Sequence, residues 1–429
     1  MKVNAAAGEL ALGSPQLLSG GKYILASIVT SKGLSAFRVV AVDVGTGNMK
    51  TLLDGVGDNW FAPTGAEPGI GHLVYALNGS LFAAAFNAAT LHVGPVAPVL
   101  EGVRNLGGLT HVGFSRSGTL AYPGRDNVAF GSTSTLMWVD LQGTEQPLAA
   151  PSRTYTSPRI SPDGGHVTFV VTDLAQALDV HVWVHDLARG TTTRLTFERT
   201  NWNPVWTADG KRLIHVSANS YTLPTGTLAS VAADGSGQPV TLMGEGVNPS
   251  PTSVSPDGKL VIGVRARGQA RSGNDIWVLP LDGGAKPQPF LDNRFVRGDL
   301  QFSPDGKWVA YESNETGRNE IYVVPYPGPG GKSQVSTDGG TQPRWNRSGR
   351  ELFFRNGAKT MAVDVETGGA FRAEAARALF EKVSSDYDVA PDGKRFLMLK
   401  PSTAATDSTE IHVILNWFDD LRRRVPLPK

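Results

Sequence analysis

Three groups of side chains in this chain have types and spacings that could do chemistry. Asp386 and Asp388 stand two residues apart. On a β-strand that spacing puts both carboxyls on one face, about 6.6 Å apart. Such a pair suits the acid and base of inverting glycoside hydrolysis. His111 with Asp58 and Asp299 offers imidazole and carboxylate ligands for a divalent ion such as Ca, Zn or Mn. Arg159 and Arg344 could hold an anionic group through their forked donors. Asn203 and Gln342 could hydrogen-bond a ligand, and Trp60 could stack on a sugar ring. The plainer reading keeps all of these as polar residues at a solvated channel mouth, with Trp60 packed like any other indole.

Other patterns fall away on inspection. His181 and His185 lie on one strand, where four residues span roughly 13 Å, too far for one ion. Residues 328–333 imitate a phosphate loop, but Tyr326 stands where its first glycine belongs and no helix follows. Gly113-Phe114-Ser115-Arg116-Ser117 lacks the closing glycine of a nucleophile elbow. Asp275, Glu320 and Glu410, with His181 in one copy, form a column that reads as hydrogen-bond partners for neighbouring loops.

The elements that must position these groups come from a repeat. Ser161-Pro162-Asp163-Gly164 recurs at Ser255 to Gly258 and at Ser303 to Gly306, with looser copies closing at Gly118, Gly210, Gly349 and Gly393. Degenerate copies close near Gly21 and Gly65, which makes nine turns. Pro in second place sets φ, and Asp-Gly tolerates positive φ. Around each turn lie short β-type runs, four to a unit of roughly 45 residues, the content of one propeller blade. The expected fold is all-β: a single closed β-propeller over residues 1–429, of eight or nine four-stranded blades, with nine favoured by the count. The last unit, from 387 to 417, shows only three runs, so residues 4–13 are expected to supply its fourth and close the ring. Helical signals are confined to residues 373–382, 174–178 and the tail near 419–424.

Counting back from each turn places the polar groups. Two residues before it stand Gln16, Trp60, Gly113, Arg159, Val205, Ser253, Gln301, Arg344 and Asp388. Four before it stand Ser14, Asp58, His111, Ser157, Asn203, Pro251, Asp299, Gln342 and Asp386. By strand alternation both columns face the central channel.

Composition narrows the classes further. The 429 residues include 50 Gly and 28 Pro but no Cys, which rules out disulfide scaffolds, thiolate metal sites and Cys nucleophiles. A net charge of +1, from 40 basic and 39 acidic side chains, gives no basic excess for nucleic acid. No apolar run approaches the ~20 residues of a membrane helix. The first residues make a poor signal peptide, so the chain as written is expected to stay in the cytoplasm where it is made.

Stretches such as Gln301-Phe302-Ser303-Pro304-Asp305-Gly306-Lys307-Trp308-Val309-Ala310-Tyr311 and Asn319-Glu320-Ile321-Tyr322-Val323 resemble TolB-type, WD40-like propeller repeats. The likeness runs from about residue 15 to Leu415-Asn416-Trp417-Phe418. It is closest to the propeller region that follows the kinase domain in many bacterial Ser/Thr protein kinases. No kinase motif is present: there is no His-Arg-Asp loop and no Asp-Phe-Gly. The resemblance implies a ligand-sensing or protein-interaction module, placed outside the cytoplasm if the chain is a fragment. Its partner would be a small molecule or carbohydrate, or a protein on one propeller face. The alternative is a propeller enzyme, a metal-assisted hydrolase or glycosidase working at the channel mouth.

Overall fold

The computed structural model describes residues 9–30, 33–77, 80–103, 105–106, 109–110, 112–115, 117–123, 133–173, 179–219, 225–247, 249–266, 274–282, 286–291, 295–328, 330–401 and 411–427. Antiparallel sheets and a single described helix make it all-β. The chain divides into two compact units. The larger comprises Thr133–Asp173 and Asp179–Ser402; the smaller comprises Met1–Ser132, Leu174–Leu178 and Thr403–Lys429.

In the larger unit, five sheets are each contiguous in sequence, and their first strands are Tyr155–Ile160, Thr200–Trp206, Pro249–Val254, Val296–Phe302 and Thr341–Trp345. A sixth is composite. It pairs Ser134–Asp140 with Arg395–Pro401, from Ser134 opposite Pro401 to Asp140 opposite Arg395, and adds Glu145–Pro147 and Tyr387–Val389 at its edges. The turns then tie the sheets into a cycle. A Cβ on Gly210 would meet Pro162, on Gly258 Ala208, on Gly306 Pro256 and on Gly349 Pro304, each 3.5 to 4.0 Å away. The cycle completes through Asn346 against Gly393 and through Pro391 at 3.2 Å from a Cβ on Gly164. These glycines hold φ near +70°, so a side chain there is strained as well as crowded.

Core packing follows the same cycle. Leu136, Trp138, Leu397 and Leu399 of the composite sheet pack with Val167 and Phe169 of the next. Val323 and Ala310 pack with Trp345, Leu352 and Phe354 four junctions on.

The smaller unit holds two four-stranded sheets, which begin at Glu9–Leu17 and Asn59–Ala62. A three-stranded sheet pairs Leu120–Pro123 with Gly113–Phe114 and with Ile411–Ile414. Helix Trp417–Arg424 buries Trp417, Phe418 and Leu421 among Ala62, Val74, Leu81 and Val99. His72 is buried beside it, its ring nitrogens 2.5 Å from Thr64 Oγ1 and 2.6 Å from the Val425 carbonyl.

Three expectations need correction. Glu9–Leu17 pairs with Tyr23–Thr30 in its own sheet, so it does not complete the last blade; residues 4–8 lie outside the described residues. The run 387–417 is shared between the units, because Arg395–Pro401 takes Ser134–Asp140 while Ile411–Ile414 takes Leu120–Pro123. Residues 373–382 are strands, Arg372–Ala373 and Arg377–Glu381, both paired to Lys359–Glu366. Their Ala-rich composition favours helix, but filling a sheet edge outweighs tenths of a kcal/mol of propensity.

Candidate functional site

In five copies the polar residue four before the turn has a backbone cause. Ser157, Asn203, Asp299 and Gln342 all take φ between 51° and 55°, as does Ser14 at 49° in the smaller unit. Each sits where its strand bulges: Thr156 faces Val170 and Arg159 faces Thr168, so Ser157 and Pro158 together oppose one residue. The same shift falls between Trp202 and Val205, Gly298 and Gln301, and Thr341 and Arg344. Left-handed backbone tolerates Asn, Asp and small polar residues far better than branched apolar ones. The bulge interrupts the plain alternation of these strands, and members of both columns still meet, Arg159 with Asp386 and Arg344 with Asp299.

The column two before the turn joins one sheet to the next. Phe302 N–H donates to Ser253 Oγ at 3.2 Å, and Trp345 N–H donates to Gln301 Oε1 at 3.2 Å. In the smaller unit Phe61 N–H donates to Gln16 Oε1 at 2.7 Å. Asp388 belongs to this set: its Oδ2 accepts the Ile160 N–H at 2.8 Å and so stitches the composite sheet to the first strand of the next. Burial pushes the Asp388 carboxyl up, against the pull of Arg159 and Arg344. Asp388→Ala strands the Ile160 amide. It is expected to cost about 1–3 kcal/mol in chemical denaturation, more than Gln301→Ala at the neutral equivalent. A change under about 0.5 kcal/mol would mean the stitch is idle.

Beside it lies a network of four charges. Arg344 is 2% exposed; its Nη2 reaches Asp299 Oδ1 at 3.1 Å and Asp386 Oδ1 at 3.5 Å. Arg159 Nη1 lies 3.3 Å from both Asp386 oxygens, and its Nη2 4.0 Å from Asp299. Arg344 also donates to the carbonyls of Pro343 and Tyr387 and stacks over the Tyr387 ring at 5.7 Å. Burial alone would lower the Arg344 pKa, but Asp299 and Asp386 reverse that and hold it above the usual arginine value. The guanidinium is therefore charged at any working pH.

Arg159, Asp299 and Asp386 face a hollow of about 260 Å³, whose wall also includes Ser157, Asn203 and Thr252. Asp299 is its most accessible charge, with 31% of its side chain exposed. Ser157 Oγ donates to Asn203 Oδ1 at 3.4 Å.

Of the expected site residues, the structure brings together Arg159, Arg344, Asp299 and Asp386, with Asn203 on the same wall. Gln342 points elsewhere, donating through Nε2 to the Ser385 carbonyl at 3.1 Å. Asp58 is in the smaller unit, accepting from Ser14 Oγ at 2.8 Å. Trp60, also there, packs against an apolar cluster that includes Trp417, as an ordinary indole does. His111 lies outside the described residues. Among the described residues no three His, Asp or Glu side chains group as metal ligands. Asp299 does not fit a dication, because two guanidinium groups already face its carboxylate.

The wall also includes Ser250 and Thr252, which the column count passes over. The strand that carries them has its own register shift, between Pro251 and Ser253. Glu320 meets its expected role: its Oε1 accepts Gly339 N–H at 3.0 Å and Arg318 Nε at 2.7 Å. His181 fills the same place, 3.2 Å from Thr196 Oγ1.

Neither a protein-family model nor a curated protein matches the chain. Solved structures do. One described as TolB from Agrobacterium tumefaciens superposes with a TM-score of 0.51 at 16% identity, covering 64% of this chain and 99% of that one. TolB from Acinetobacter baumannii matches at TM-score 0.40 and 13% identity, over 80% of this chain and 82% of that one. An oligogalacturonate lyase in complex with manganese matches at TM-score 0.36 and 17% identity, over 71% and 86%. The first shows the fold, a TolB-like β-propeller; the other two are too distant to argue from.

Proposed function

We propose that the larger unit is a ligand-sensing module that holds a small polar molecule, the size of a simple sugar, in the hollow at Arg159, Asn203, Asp299 and Asp386. What supports this is the charge arrangement. Each carboxylate is already paired with arginine, so the wall is close to neutral yet rich in fixed acceptors and donors. Such a wall suits hydroxyl groups, which need directional hydrogen bonds rather than a net charge. Hydrolysis is the weaker reading, since Asp388, the second carboxyl it needs, is engaged by the Ile160 amide and is not part of the wall.

The test is a thermal-shift and calorimetric screen of monosaccharides, disaccharides and polyols against the native chain and Asp299→Asn. A ligand at a hundred times its Kd stabilises its binder by about 2.7 kcal/mol. At least one compound is expected to do so, with the variant folded and the gain lost. A screen with no stabilising compound, or equal gains in the variant, would refute the proposal. Turnover of a glycoside would replace it with the enzymatic reading.

A further inference from the structure

A second cavity lies away from that hollow, where two neighbouring sheets of the larger unit meet, and the repeat itself shows what it lacks. Between the sheets that begin at Pro249–Val254 and Val296–Phe302, three rings fill the junction. Phe290 packs on Tyr326 with centroids 5.2 Å apart, and Tyr326 on Phe302 at 5.0 Å. Leu260 and Val278 line the same cluster.

One junction earlier, the equivalent positions carry no ring. Leu281 stands for Tyr326: each follows its third strand, Asn274–Pro280 or Glu320–Pro325, and each N–H bonds the carbonyl of the lysine after the turn glycine. Leu242 stands for Phe290, each being the extra residue of a bulged fourth strand. Val254 stands for Phe302, immediately before the Ser-Pro-Asp-Gly turn. The space that results is a cavity of about 440 Å³, within the usual range of small-molecule sites.

Its polar lining also departs from the repeat. Arg212 and Ser230 replace Leu260 and Val278. Arg212 donates to Ser230 Oγ at 2.7 Å through Nε and to the Ser230 carbonyl at 3.0 Å through Nη2. Those bonds fix the guanidinium on the wall, and among the described residues its Nη1 has no hydrogen-bond partner. Asp209 and Asp257 at the edge are used within their own turns, by Thr207 and Ser255.

We propose that this cleft is a binding site for a small aromatic acid: its ring occupies the place that Tyr326 and Phe290 fill at the next junction, and its carboxylate accepts from Arg212. The aliphatic walls, Ile214, Leu242 and Leu281, supply the face on which a ring packs, and the fixed fork matches a planar carboxylate.

Phenylacetate is the probe, titrated by calorimetry against the full chain, with benzylamine as the oppositely charged comparator. Saturable binding with a Kd on the order of 1 mM or tighter is expected, at least about tenfold tighter than benzylamine. Arg212→Gln should weaken it about tenfold. Leu281→Tyr, which copies Tyr326, should abolish it and leave the melting temperature unchanged or higher. If that variant does not fold, Leu242→Phe, which copies Phe290, tests the same point. No saturation by ~10 mM phenylacetate would overturn the proposal. So would equal affinity for benzylamine, or full binding in a folded filling variant.

Discussion

Arg344→Met is expected to destabilise the larger unit by roughly 3–5 kcal/mol, the cost of removing one partner from a buried ion network. The guanidinium is 2% exposed and lies within 4.0 Å of Asp299, Asp386 and Asp388, which come from two different sheets. Methionine of similar length fills most of the space, so a cavity is a small part of the loss. The main part is three carboxylates left with Arg159 alone, together with the Pro343 and Tyr387 carbonyls that lose a donor. Lysine does not substitute: its single ammonium cannot serve carboxylates and carbonyls on several sides at once. If charge imbalance is the cause, adding Asp299→Asn to Arg344→Met should regain part of the loss. Urea denaturation of the three proteins decides. A loss under about 1 kcal/mol for Arg344→Met would mean the network is solvated and contributes little.

That network also marks how far the chain can be read without coordinates. The repeat of Ser-Pro-Asp-Gly turns carried the fold class, because each turn has a local mechanism: Ser161 Oγ donates to Asp163 Oδ1 at 2.5 Å and accepts from His166 N–H at 2.8 Å. Four members of the charged network were legible for the same reason, since equal offsets from equal turns land on neighbouring strands. The partner each one takes was not legible. A bulge adds a residue to one strand without any loss of hydrophobic pattern, and Asp388, on a strand in unbroken register, spends its carboxylate on the Ile160 amide of the next sheet, a partner no local pattern shows. Pairing between distant hairpins was hidden for a related reason. Met398 and Leu397 alternate toward the core as any inner strand would, and nothing local says that Met137 and Trp138 lie opposite them. Nine similar turns predict a run of like sheets, and nothing in their spacing shows that the contacts group them into two compact units.

Acid should reveal a different weakness of the larger unit, and His215 is its origin. This ring is 1% exposed on strand Arg212–Ala218. Nδ1 lies 3.1 Å from the Val216 carbonyl, while Nε2 has no hydrogen-bond partner among the described residues. The carbonyl fixes the Nδ1–H tautomer and leaves Nε2 as a buried acceptor, where a second proton would carry an unpaired charge. Burial lowers its pKa from 6.5 to about 4, against a small opposing effect of the Val216 carbonyl. The folded pKa lies below the unfolded one, so the unfolded chain binds more protons throughout that window. Stability is then fully present above pH 6.5 and falls as pH drops toward 4, by about 3 kcal/mol between pH 7 and pH 4. His185, in the same unit and also lowered by burial, adds loss of the same sign. Subtracting a variant isolates the one ring: His215→Leu keeps much of the volume and takes up no proton. Urea denaturation at pH 7 and pH 4 should therefore show a clearly smaller loss in His215→Leu than in the native chain. Equal losses would mean that His215 opens to water before it titrates, and that acid sensitivity arises elsewhere.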